Sequence, residues 1–209
     1  MALKMLDNQK EQSYPSSDLL EFRLEIQNWL KKNNPSDPGF LLPQTFMEIG
    51  SEQVLDFLRD WQYKLWSSGY LGMSWPQEYG GRGLPRIFQQ IADQEMKSAR
   101  VPICFNIIGL GWAGPLIIDI GSEDEKRLYL KGILSGDDRW CQGCSEPNHG
   151  SDLGSIQTRA EKIEDGYLLN GSKIWTTMGN FAKYMILLAR TNPIAERRYD
   201  GLSFFLAPM

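Results

Sequence analysis

The chain has 209 residues, 42% hydrophobic and 23% charged, enough for one large or two small domains around a real core. A net charge of −4 and a pI near 5.2 exclude a nucleic-acid-binding domain, which is basic. No apolar run approaches the roughly 20 residues needed to span a bilayer. The opening stretch MALKMLDNQKEQSYPSS carries Asp7 and Glu11, no Arg and no apolar signal core, so a cytoplasmic protein is expected. Cys104, Cys141 and Cys144 are too few for a disulfide scaffold and fit a reducing compartment.

Residues 1–16 are polar and read as a flexible tail. A helix is expected from Asp18, with Glu21 completing a capping box and Leu19, Phe22, Ile26, Trp29 and Leu30 on one face. Residues 33–50 hold Asn33, Asn34, Pro35, Pro38, Gly39 and Pro43 and read as loop. Ser51 caps a second helix, striped by Val54, Leu58, Trp61 and Leu65, widened by Leu55 and Trp66, and ended by Gly69. Residues 72–85 are too rich in Gly and Pro for regular structure. Pro85 suits the first turn of a third helix reaching about Ala99. A short apolar helix follows Pro102, and Ser122 with Glu125 opens another that runs to about Leu134.

The pattern changes at Ser135-Gly136-Asp137. From Trp140 onward short strands and turns are expected: alternation over Ile156–Ile163, a turn at Glu164-Asp165-Gly166, and a return strand at Tyr167–Leu169. Asn170-Gly171 is a two-residue hairpin signal, because both turn positions need positive φ. Ser172–Thr177, Lys183–Thr191 and Leu202–Ala207 look like further strands, with a loop at 192–201. The end at Pro208-Met209 reads equally as a short edge strand or as an incomplete chain.

Three motifs carry little chemistry. Gly109–Gly114 (GLGWAG) matches GxGxxG literally, but a dinucleotide loop needs a strand before it and a helix N-terminus after it. Helical surroundings, Pro115 and Gly121 argue instead for a glycine-loosened helix end with close packing. Cys141 and Cys144 match CxxC, yet zinc wants about four ligands. Residues three apart on a strand also point to opposite faces, so no metal is expected. His149, the only histidine, reads as an exposed loop residue rather than part of a triad.

The stretch Trp140–Asp152 is different. A strand runs into a loop with small residues and two hydroxyls, Ser145 and Ser151, which can hold an anion or the polar edge of a ring. Ile174-Trp175-Thr176-Thr177 adds a large flat aromatic and two more hydroxyls. Face contact plus convergent donors is what a flat heterocycle needs, although Trp175 equally suits the core of a β-barrel.

These residues resemble the acyl-CoA dehydrogenase family. CQGCSEPNHGSDLGS at 141–155 is similar to the family's first signature, a Ser/Thr-Glu-Pro followed by Gly-Ser-Asp. GSKIWTT at 171–177 is similar to its second, and AKYMILLARTNP at 182–193 matches in style. Upstream, the segments at 72–85 and 114–143 resemble the family's helical N-terminal domain, so the likeness runs from about residue 18 onward. The loop departs at Asn148-His149, where the family often has small residues.

The resemblance implies an α+β fold: a flexible N-terminus (1–16), an α-helical domain (17–138) and a partial antiparallel β-barrel domain (139–209). It implies FAD as cofactor and removal of two hydrogens from an acyl-CoA to leave a trans-2-enoyl-CoA. Gln142, Cys144 and Ser145 fall where the flavin rim is contacted, Ser145 near N5. Ser151 falls where the loop meets both flavin and CoA. Trp175 falls on the aromatic beside the isoalloxazine, with Thr176 and Thr177 as hydrogen-bonding neighbours. Glu146 falls on a structural acid rather than a catalytic one.

The flavin would supply the redox chemistry and the protein orientation and electrostatics. Electrons would pass to an electron-transferring flavoprotein, and the complete family enzyme would be a homo-oligomer. No residue here matches the family's carboxylate base, which lies in a C-terminal helical domain. The 209-residue chain is therefore expected to be incomplete, inactive by itself, and to bind FAD weakly or not at all. A non-catalytic interaction module, one half of a split flavoenzyme, and an oxidase or monooxygenase relative are the competing expectations.

Overall fold

In the computed structural model, which describes residues 14–209, the helical half comes first. Most of the expected tail, residues 1–13, lies outside the described residues. Helix α1 (Ser16–Asn33) begins ahead of Asp18. Pro15, extended at φ −52°, presets the entry, so Asp18 already lies in the first turn and cannot cap. The expected Asp18–Glu21 capping box is therefore not formed. Phe22, Ile26 and Leu30 make the buried face.

α2 (Glu52–Ser67) is capped as expected, with the Ser51 hydroxyl accepting from the Val54 N–H at 3.3 Å. Leu55, Leu58, Trp61 and Leu65 are buried along it, and Gly69 ends it at φ +82°. α3 (Arg86–Ser98) starts after Pro85, which sits at the N-cap rather than in the first turn. Its buried Glu95 is held by Arg23 and by Gln27 at 2.8 Å, both from α1. α5 (Glu123–Ser135) carries the full Ser122–Glu125 capping box.

The glycine segment differs from expectation in one respect. Gly109–Ala113 is a π-helical turn leading directly into α4 (Gly114–Ile120), so it lies inside a helix rather than at its end. The close packing is there. A Cβ on Gly114 would stand 2.0 Å from the Trp75 ring, and one on Gly109 2.7 Å from the Asn106 amide.

Five strands follow: β1 (Trp140–Gly143), β2 (Arg159–Ile163), β3 (Gly166–Asn170), β4 (Tyr184–Arg190) and β5 (Leu202–Pro208). The fold is α+β, but the sheet is open and mixed rather than antiparallel throughout. β4 pairs antiparallel with β5 along one edge. Its other edge takes β1, parallel, and then β2 at Arg159–Arg190. β4 is buried from Met185 to Ala189, the continuous apolar run of a central strand.

Two expectations fail between β3 and β4. The β2–β3 hairpin turns at Glu164-Asp165, while Asn170-Gly171 makes no turn and the chain runs on past Thr158. A Cβ on Gly171 would lie 2.4 Å from the Thr158 hydroxyl, so this glycine serves a close approach. Ser172–Thr177 is not a strand, because Trp175 (φ +56°) and Met178 (φ +67°) leave the extended region.

The two halves share one core. Trp140 lies 5.3 Å from Tyr129 of α5 and 5.1 Å from Tyr184 of β4, ring centre to ring centre. Asn106, buried, accepts from the Trp140 N–H at 3.1 Å and donates to the Asp138 carbonyl at 2.9 Å.

Candidate functional site

β1 places Gln142 beside Ile186 of β4, and the Gln142 amide donates to the Cys144 sulfur at 3.1 Å. Cys144 packs with Ile156 and Leu188, whereas Cys141 packs with Met185 and Leu187, so the two thiols belong to different clusters. Burial pushes the Cys141 thiol up to about 11, so it stays protonated at neutral pH.

After Cys144 the chain leaves the sheet. Ser145 is half-buried, and its carbonyl accepts from the Ile174 N–H at 2.9 Å. That bond brings the two predicted segments together. The Glu146 and His149 backbones then exchange hydrogen bonds at 2.8 and 3.0 Å, which makes Asn148-His149 part of a tight turn. Ser151 follows on the surface. Next to it Asp152 accepts from Ser155 at 2.6 Å and from Arg198 at 2.9 Å.

Glu146 is buried under this loop. Its carboxylate accepts from the Gln157 and Thr158 amides at 2.6 and 2.8 Å and from Lys173 at 2.9 Å. Burial alone would raise its pKa, but these donors outweigh it and hold the carboxyl down at about 2.

Beyond Ile174 the chain makes a tight turn, with the Thr177 N–H on the Trp175 carbonyl at 3.0 Å and the Gly179 N–H on that of Thr176 at 2.9 Å. Trp175 is 85% exposed, which rules out the core position that its type equally suited. Trp175, Thr176, Thr177, Met178 and Asn180 form one wall of an open cavity of about 270 Å³. Phe46, Met47 and Ile49 form the other. Phe46 and Met47 come from the short turn at Phe46–Glu48 and Ile49 directly follows it, inside the stretch expected to be plain loop. An apolar Phe46-Met47 pair amid prolines was the available signal for them.

The structure thus unites Trp175, Thr176 and Thr177 in one cavity, with Ser145 bonded to the adjoining residue. Gln142, Cys144 and Ser151 do not line that cavity.

Residues 45–137 match the family model for the acyl-CoA dehydrogenase N-terminal domain, and residues 141–209 match that for the middle domain. The chain is 34% identical over 193 residues to the acyl-CoA dehydrogenase IpdE1 of Mycobacterium tuberculosis, covering 92% of this chain and 49% of that protein. It is 32% identical over 203 residues to IpdE1 of Mycolicibacterium smegmatis, covering 92% of this chain and 51% of that one. Among solved structures, the Tcur3481-Tcur3483 steroid ACAD superposes with a TM-score of 0.75 at 34% identity, over 93% of this chain and 48% of that one. The ChsE4-ChsE5 complex from Mycobacterium tuberculosis superposes with a TM-score of 0.70 at 28% identity, over 94% and 48%. The chain spans about half the length of these relatives. With both family domains matched in order and the fold shared, the chain belongs to the acyl-CoA dehydrogenase family.

Proposed function

We propose that this chain supplies the flavin-edge portion of an FAD-dependent acyl-CoA dehydrogenase forming a trans-2-enoyl-CoA. The general base would come from polypeptide outside these 209 residues. The observation that carries this reading is the hydrogen bond from the Ile174 N–H to the Ser145 carbonyl, which sets the two signature segments side by side.

The residues fit a flat heterocycle. Trp175 is a large aromatic held out toward solvent in a left-handed conformation, beside two threonines at the mouth of a cavity. FAD, when bound, supplies the acceptor for a hydride from the acyl chain. Trp175 would offer its face to the ring. Ser145, Thr176 and Thr177 would hold the polar rim, with Gln142 and Cys144 behind Ser145. Ser151, on the exposed loop, would meet the CoA portion. Electrons would leave to an electron-transferring flavoprotein.

Removal of the α-proton needs a base within hydrogen-bond reach. Buried Glu146 is unsuited to that role, because three donors already hold its charge. The purified chain is therefore expected to bind FAD weakly and to give no acyl-CoA turnover with FAD and an artificial electron acceptor. Turnover would overturn the assignment of the base to other polypeptide.

One half of a two-chain enzyme is the form of this reading favoured by the sheet. Among the described residues β5 pairs on one side only, leaving its outer edge for another element. Phe204 on β5 and Leu168 on β3 are each 55% exposed. The paired names of the solved relatives point the same way. A yellow complex with a second polypeptide would support it, and a colourless partner-bound species would favour a non-catalytic module.

A further inference from the structure

We propose that Lys173, through its ion pair with Glu146, is a positioning residue that locks the Ser145 loop to the Trp175 turn and so presets the proposed flavin cleft. This rests on the flavin reading above. The side chains of Lys173 and Glu146 are only 7% and 5% exposed. Taking a lysine and a glutamate out of water is expensive, and an apolar pair of like volume often serves stability as well. What an apolar pair lacks is direction, and here every bond has one.

The Lys173 ammonium donates to the Cys144 carbonyl at 3.1 Å and to the Glu146 carboxylate at 2.9 Å. It therefore grips the chain on both sides of Ser145. The neighbouring Ile174 N–H adds its bond to the Ser145 carbonyl. Glu146 in turn anchors the Gln157 and Thr158 amides just ahead of β2. Gly171 runs hard against Thr158, so the segment leading to Lys173 is fixed against the same anchor. Trp175 comes next, at φ +56°, a conformation that persists only where the surroundings impose it.

The test uses the full chain and the variants K173Q, K173R, E146Q and K173Q/E146Q. Amide hydrogen exchange is read by NMR, together with Tm and the flavin fluorescence change on FAD titration. In K173Q, exchange at Ile174, Gln157 and Thr158 should accelerate by about tenfold, as expected for a stranded buried charge. Amides of α2 and α5 should keep their protection. The FAD response should weaken in parallel, and K173R should restore both. If K173Q does not fold, the double variant, which strands neither charge, serves in its place with E146Q beside it. Unchanged exchange at Ile174, a uniform rise across the whole chain, or weakened FAD response that K173R does not restore would overturn the proposal. So would faster exchange with undiminished FAD response. A wild-type chain without any flavin response would instead overturn the reading that this chain presents a flavin cleft by itself, separately from the role of Lys173.

Discussion

At Glu146, burial and hydrogen bonding oppose each other and the hydrogen bonds win. Burial raises the carboxyl, while the Gln157 and Thr158 donors and Lys173 bring it from an ordinary 4.5 to about 2. A depressed folded pKa stabilises the fold fully above the unfolded value and loses that stabilisation as pH falls toward the folded one. The shift corresponds to stability on the order of 3 kcal/mol, present above about pH 4.5 and lost toward pH 2. Urea unfolding at a series of pH values should show a steep acid limb in this window, and E146Q should flatten it. Trp175 makes the opposite case. Replacing it by glycine relieves left-handed strain of about 1 kcal/mol, while glycine's extra chain entropy costs about 0.5–1 kcal/mol. W175G should therefore leave Tm nearly unchanged yet remove the flavin response. The meeting of the Ser145 and Trp175 segments was legible because each is a short contiguous motif. Lys173 was not, because a lone lysine reads as solvated surface and its partner is distant in sequence.

Among the elements, helices were more legible than strands. Their signals are local: Ser51, Ser122 and Gly69 each act within a turn of where they stand. The hairpin signal at Asn170-Gly171 failed because tertiary approach to Thr158, invisible in sequence, decided what the glycine was for. The parallel pairing of β1 with β4 was equally hidden, since it joins strands separated by a long connection. The glycine-rich helix offers a direct check on its reading as a packing device. A Cβ at Gly111 meets nothing within 4 Å, so G111A should gain about 0.5–1 kcal/mol from reduced chain entropy. At Gly114 the same gain is outweighed by collision with Trp75 at 2.0 Å, and G114A should lose about 1–3 kcal/mol. Thermal unfolding of the two variants measures both signs.

Over the whole molecule, the change from helical to β character at residues 135–137 was visible, but the continuity of the core across it was not. Tyr129, Trp140 and Tyr184 join α5, β1 and β4 in one aromatic cluster, and Trp140 shares a core with Ile26, Leu65 and Ile133. The helical half and the sheet should therefore unfold together, with coincident far-UV and near-UV transitions. W140A should cost about 3–5 kcal/mol and weaken both at once.

The central claim is that Ser145 and residues 175–177 border one ring site, and weak binding does not hide such a site from NMR. A ¹H–¹⁵N titration of the labelled chain with FAD should perturb Ser145, Thr176, Thr177 and the Trp175 indole saturably and together. Perturbations confined to Gly109–Gly114, or none at these residues at saturating FAD, would contradict the account.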